Sequence, residues 1–303
     1  MSETMKKVGM GWLPDYPDFR DLTVNDEKIP AKLKALGQKD SIKVMLGKTA
    51  ADKTSKTKPK SVDLRQWFSP VENQGTLGSC TANAGVGLVE YFEKRATGRY
   101  MNASRLFLYK TSRNMTRSKG DTGSFLRTTM SAMVLFGIPP EEYWPYVASD
   151  FDEEPTAFCY AFAQNYQAIS YYRLDPPGLT KPDLLASIKT NLAAGLPSMF
   201  GFTVFSSYEQ AEPAGRIPYP TAGEKNMGGH AVIAAGFDDK MEIKNDAAGA
   251  KKTTGALLIR NSWGKSWGEG GYGWLPYEYV LQGLAVDWWS LIKNEWVDTG
   301  NFK

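Results

Sequence analysis

The chain has 303 residues, 42% of them apolar and 23% charged, and its 36 basic and 33 acidic side chains leave a formal net charge of +3. That balance describes a folded protein of one large or two modest domains and gives no support to nucleic-acid binding. No apolar run is long enough to span a bilayer, and the start MSETMKKVGMGWLPDYPDF lacks the apolar stretch of a secretory signal. The expectation is therefore a protein with no membrane partner, cytoplasmic unless a leader once preceded it or a non-classical route exports it. Two cysteines allow at most one disulfide, so a core rather than cross-links must hold the fold.

In chain order, the first feature is GWLPDYPDFRD, Gly11 to Asp21, where Pro14 and Pro17 exclude regular helix and aromatic residues recur. Two readings stand for this extended segment: a strap packed on the domain surface, or a pro-segment lying in a cleft. KTAADKTSKTKPK, residues 48–60, carries five lysines and no large apolar residue. It reads as a flexible linker between an N-terminal piece, residues 1–47, and a body over residues 61–303.

The body changes character halfway. After Cys80, residues Ala82, Val86, Val89 and the Tyr91/Phe92 pair fall on one helical face, and Gly98 ends the pattern. Further helices are predicted over 124–136 and about 182–194. Strand signals then dominate: PSMFGFTVF at 197–205, HAVIAAGF at 230–237, GALLIRNSW at 255–263, and the glycine and aromatic run ending in GYGWLPYEYV. A helical half facing a sheet half gives an α+β fold with a cleft between the two, where catalytic sites often lie.

Three stretches carry side chains suited to one chemistry. In NQGTLGSCTANA, Asn73 to Ala84, Cys80 stands at a predicted helix start, where unpaired N–H groups and the dipole favour thiolate. Gly75 and Gly78 allow a tight turn and close approach of substrate. His230, the single histidine, follows two glycines at the start of an apolar strand and could accept the thiol proton. Asn261, in RNSWGKSWGEGGYG, could orient the imidazole while Trp263 excludes water, and Gln74 could donate to an oxyanion together with the Cys80 N–H. Taken singly, a cysteine is as readily a buried small hydrophobe and a histidine a structural one.

Together, QGTLGSC, GGHAVIAAGFD and NSWGKSWGEGGYG, with the order Cys, His, Asn, resemble the papain family of cysteine peptidases. SVDLRQWFSPVENQG resembles the family's mature N-terminus and GIPPEEYWPY a shared internal segment, so the likeness covers roughly residues 61–295. The resemblance implies a two-lobed fold, with a helical lobe, an antiparallel β-barrel-like lobe and the active site between them. It implies Cys80 as nucleophile, His230 as acid/base, Asn261 as orienter and Gln74 in the oxyanion hole, acting through a thioester on peptides or proteins. It further places Gly123, Gly201, Gly229, Trp263 and Asp287 along the substrate cleft. Gly123 matches the glycine whose backbone pairs with substrate. Asp287 falls where one side chain closes the pocket for the second residue before the cut, either as an acidic floor accepting Arg or Lys as well as apolar side chains or as a solvated aspartate.

The chain departs from the family at Leu77, which replaces a disulfide cysteine, and at Thr81, which replaces the aromatic after the nucleophile. Residues 1–60 lack the family's long helical pro-region; the GWLPDYPDFRD start looks more like the bacterial branch that includes xylellain. Likeness to precursors implies that this segment acts as the chain's own inhibitor, as in a zymogen. Endopeptidase action is expected, with exopeptidase action left open, and acyl transfer, deamidation or a catalytically silent binding module remain as alternatives. No cofactor or metal is expected: GEGGYG lacks the strand-to-helix setting of a dinucleotide site, GKT at 47–49 lacks an upstream glycine, and no ligand set for zinc clusters. Cys159 reads as a buried free thiol, and the sequons at Asn102 and Asn114 matter only in a secreted chain.

Overall fold

The computed structural model describes residues 8–29, 31–35, 39–44, 59–212 and 214–293. The linker expected over 48–60 lies outside the described residues except for its last two. Around one core, seven strands form an antiparallel sheet: β2 (Ser61–Asp63), β4 (Ala168–Arg173), β5 (Ser198–Phe205), β6 (Asn226–Ile243), β7 (Thr253–Arg260), β8 (Tyr272–Pro276) and β9 (Ala285–Lys293). The order is β4-β9-β5-β6-β7-β8, with β2 added to β6. The terminal strands β4 and β8 do not pair with each other, so the expected barrel-like lobe is an open, mixed-length sheet among the described residues. A separate two-stranded parallel ribbon joins β1 (Trp12–Leu13) to β3 (Ser124–Phe125).

The helices are α1 (Ala31–Ala35), α2 (Cys80–Thr97), α3 (Arg105–Met115), α4 (Leu126–Leu135), α5 (Ala157–Ala163), α6 (Lys181–Ala193) and α7 (Tyr277–Leu281). Helix α2 begins at Cys80 as its spacing predicts, and Gly98 ends it in the left-handed conformation, its N–H returning to the Lys94 carbonyl at 2.8 Å. Residues 80–93 are buried on every side, because α2 lies between α3 and α4 on one flank and β5, β6 and β9 on the other. It thus spans both halves of the molecule and holds its first residue at their junction.

Three boundaries differ from expectation for local reasons. Helix α4 starts at Leu126 because Ser124 and Phe125 are drawn into the ribbon with β1. Strand β6 runs well past both ends of 230–237, since it pairs with β5, β7 and β2 in turn. Strand β7 stops at Arg260, which leaves Asn261 just beyond the sheet, and after β8 the segment from Tyr277 turns into helix. Helix α6 covers Lys181–Ala193, one residue from the expected span, with Thr180 capping it onto the Asp183 N–H.

Candidate active site

The NQG turn is built first. The Asn73 side-chain oxygen accepts the Gly75 N–H at 2.9 Å, and Gly75 adopts φ +63°, which a side chain would disfavour. The Gln74 N–H donates to the Ser262 carbonyl at 2.8 Å, clipping this turn onto the stretch that carries Asn261. The Gln74 side chain, fully enclosed, accepts from Ser262 Oγ and donates from Nε2 to the Leu77 carbonyl at 2.8 Å. Leu77, which stands where the family usually has a disulfide cysteine, packs as a buried hydrophobe, and both cysteines of the chain are free thiols. The Cys159 thiol is buried and donates to the Tyr143 carbonyl at 3.5 Å.

His230 lies on β6, one residue before the backbone N–H that reaches the sulfur. The Ala231 N–H, next along the strand, donates to Cys80 Sγ at 3.4 Å. His230 Nε2 is 2.8 Å from Asn261 Oδ1, and that oxygen also accepts the Ser262 N–H at 2.8 Å. A backbone donor on the same atom fixes the amide with its oxygen toward the ring, so Nε2 carries the hydrogen. Nδ1 is then the basic nitrogen, and it is buried without a hydrogen-bond partner among the described residues. Trp263 stacks on the imidazole at 4.4 Å between centroids, and Phe202 meets it edge-on at 5.9 Å. Among the described residues no His, Cys, Asp and Glu side chains gather where they could hold a metal ion.

The N-terminal segment runs through this site. The Gly9 N–H donates to the Gly75 carbonyl at 2.9 Å, Trp263 Nε1 donates to the Gly9 carbonyl at 3.0 Å, and the Gly11 N–H donates to the Gly229 carbonyl at 3.2 Å. The Ser124 N–H donates to the Gly11 carbonyl at 2.8 Å. A Cβ on Gly11 would lie 2.0 Å from the Gly78 carbonyl oxygen, and one on Gly9 would lie 2.8 Å from Gln74 Nε2. Trp12 enters a pocket against Gly201 and Gly229 and donates from Nε1 to Asp287 at 3.1 Å. Of the two readings of GWLPDYPDFRD, its first residues, 11–13, follow the second, the segment in the cleft, and Gly9 precedes them there.

Burial has an electrostatic consequence. It pushes the Cys80 thiol up to about 12, with the N–H groups of Ala231, Thr81, Gly11 and Trp12 pulling the other way. It pushes the His230 imidazole down to about 4, against the Asn261 hydrogen bond. With the segment seated, thiol and imidazole are both neutral across the ordinary pH range.

Each sequence-predicted site residue has a place in this cluster. Asp287 is completely buried rather than solvated. Gly123 does not itself donate to the strap: its N–H goes to Tyr109 Oη at 3.1 Å, and Ser124, one residue on, makes the bond to Gly11. Thr81 is buried and its hydroxyl has no hydrogen-bond partner among the described residues, so the replacement of an aromatic leaves a polar atom unserved.

Two supports escaped sequence reasoning. Tyr109 donates to Asp121 Oδ1 at 2.5 Å, and the same oxygen accepts the Gly78 N–H at 2.8 Å, tying Gly78 to Gly123. Tyr146 donates to the Gln74 carbonyl at 2.9 Å and meets Ser79 Oγ at 2.6 Å, bracing both sides of the turn. Only the WPY ending of the resemblance segment hinted at the second.

A sequence profile described as papain family cysteine protease matches residues 58–282. The chain belongs to the papain family. It is 33% identical over 297 residues to an uncharacterised peptidase C1-like protein of Acanthamoeba polyphaga mimivirus, covering 93% of this chain and 86% of that one. The crystal structure of xylellain, a cysteine protease from Xylella fastidiosa, superposes with a TM-score of 0.72 at 29% identity, covering 97% of this chain and 99% of that chain. Cathepsin K of Gallus gallus is 28% identical over 71% of this chain, a match that spans 58% of the cathepsin's length. The papain-like fold and the cysteine peptidase class follow from these matches.

Proposed function

We propose that this papain-family chain hydrolyses peptide bonds with Cys80, His230, Asn261 and Gln74, and that residues 9–13 hold it inactive until they leave the cleft. The observation that carries the reading is the His230–Asn261 bond, roofed by Trp263, with the next backbone N–H along β6 on the Cys80 sulfur. Once water and substrate replace the strap, the burial that favours the neutral pair is relieved. His230 Nδ1 then takes the thiol proton, and the thiolate attacks the substrate carbonyl carbon. The developing oxyanion is met by Gln74 Nε2 and the Cys80 N–H, donors fixed in advance by the clipped turn and the helix start. Collapse forms a thioester and expels the amine, which receives its proton from Nδ1. Water attacks the thioester with Nδ1 as base and frees the acid.

Self-inhibition is supported by position. Gly9 backs onto Gln74, the backbone N–H groups of Gly11 and Trp12 help solvate the sulfur, and Trp12 fills the adjoining pocket. The test is hydrolysis of a fluorogenic peptide by the wild type, by Gly11→Ala, and by Gly11→Ala carrying Cys80→Ala or His230→Ala, with the products analysed in the presence of an added amine. Free acid is expected from the full-length Gly11→Ala chain, whose added methyl unseats the strap, little from the wild type, and none when Cys80→Ala or His230→Ala is added to Gly11→Ala. Amide product in place of acid would shift it to acyl transfer.

A further inference from the structure

The pocket that holds Trp12 is shaped for a flat side chain and ends in a hydrogen-bond acceptor. A Cβ on Gly201 would lie 1.9 Å from the indole Cε2, and one on Gly229 would lie 2.8 Å from Cε3, so both strands have given up side chains where the ring lies. At the far end Asp287 is fully buried, on β9, with φ +63°, a conformation that a non-glycine residue adopts only when its surroundings hold it there. Its two oxygens have different duties. Oδ1 accepts from Trp289 Nε1 at 2.6 Å and faces Arg173 Nη1 at 3.3 Å, while Oδ2 accepts the Trp12 indole N–H.

Asp287 already has a cationic partner without any ligand, Arg173. Arg173 also pairs with Asp175, Nε to Oδ1 at 2.9 Å, and Asp175 accepts the backbone N–H groups of Asp287 and Trp288 at 2.9 and 3.0 Å. Arg127 stands over the Trp289 ring and pairs with Asp15 and Asp21, both on the N-terminal segment. When that segment lifts, its two aspartates leave with it. Arg173 keeps its pairs with both Asp175 and Asp287. A second cation entering this buried floor would lose its water beside Arg173, which stands 3.3 Å from the carboxylate it would have to share. A neutral N–H or O–H donor meets a charged acceptor at no such cost.

We propose that Asp287 is the specificity-determining residue of this peptidase and that its pocket selects neutral aromatic side chains bearing a hydrogen-bond donor, indole above all, and disfavours arginine and lysine. This rests on the peptidase reading above, and it departs from the acceptance of Arg or Lys expected of a bare acidic floor. Trp12 is the chain's own example of the ligand.

The test uses the full-length chain carrying Trp12→Gly, and as a second route to an open pocket the full-length Gly11→Ala chain. Binding is measured first, without catalysis, by calorimetry and thermal shift with indole, benzothiophene (the same shape without the N–H) and benzamidine. Indole is expected to bind about tenfold tighter than benzothiophene, one hydrogen bond to a charged group, with benzamidine weakest. Hydrolysis is then compared for peptides carrying Trp, benzothienylalanine or Arg at the second position before the cut, and the same order is expected in kcat/KM. Benzamidine binding as tightly as indole, equal binding of indole and benzothiophene, or an Arg peptide cleaved fastest would overturn the proposal. If the binding order holds and no peptide is cleaved, the pocket inference stands while the peptidase reading fails.

Discussion

Gly11→Ala should switch the enzyme on. The added methyl would sit 2.0 Å from the Gly78 carbonyl oxygen and 2.5 Å from its carbon, and both belong to backbone that Asp121 tethers in place. The Gly11 backbone is not in the left-handed region, so alanine is acceptable to the free strap and the cost falls on the docked form alone. Relieving such an overlap by local shifts costs about 1–3 kcal/mol. The docked strap is held by backbone bonds of about 0.5–1.5 kcal/mol each and by burial of Trp12, about 1.5–3 kcal/mol, so the closed form dominates in the wild type. The open fraction then rises exponentially with the penalty, roughly 5- to 150-fold. The assay is kcat/KM on a fluorogenic peptide with the full-length chain, mass spectrometry confirming that the strap is uncut and thermal melting confirming the fold. A folded Gly11→Ala chain with wild-type activity would refute the argument that this contact keeps the cleft closed.

Other expectations follow from particular contacts. Asn261→Ala frees the imidazole to turn and should lower kcat about 100-fold in the Gly11→Ala background with little change in KM, measured by steady-state kinetics. Tyr109→Phe leaves Asp121 and the Gly123 N–H each short of a partner and should destabilise the chain by about 1–3 kcal/mol in urea unfolding. Burial raises buried Glu90 to about 7 from its ordinary 4.5, so the folded state holds its proton more tightly than the unfolded one. Its contribution is therefore fully present below about pH 4.5 and lost as pH rises through about 7. Glu90→Gln should flatten the fall in stability across that window, and a variant whose unfolding free energy follows the wild-type pH profile would contradict the shift.

The catalytic stretches were readable because each is local: a helix start, a glycine-led strand and an aromatic turn announce themselves within a dozen residues. What brings them together is not local. The Gln74–Ser262 clip, the Tyr109–Asp121 tether and the Tyr146 brace join residues far apart in the chain, and no spacing rule marks their partners. Helix α3 went unpredicted because Arg105, Lys110 and Arg113 are buried in it, paired with Glu141 or Asp152, so its polar residues do not trace an exposed face. The barrel-like lobe came from resemblance, and strand pairing settles as an open sheet instead. Asp287 shows the same limit at the scale of one residue. Its identity suggested an acidic floor, but its partner Arg173 sits on β4, and only the fold reveals that its charge is already met.

The central claim, that Cys80 is the nucleophile of a peptidase closed by its own N-terminus, is tested most directly by reaction with an epoxysuccinyl thiol-protease inhibitor and mapping of the adduct. A single adduct on Cys80 is expected, formed slowly in the wild type, faster in Gly11→Ala and not at all in Cys80→Ala. Absence of an adduct at Cys80 in a folded Gly11→Ala chain would contradict it.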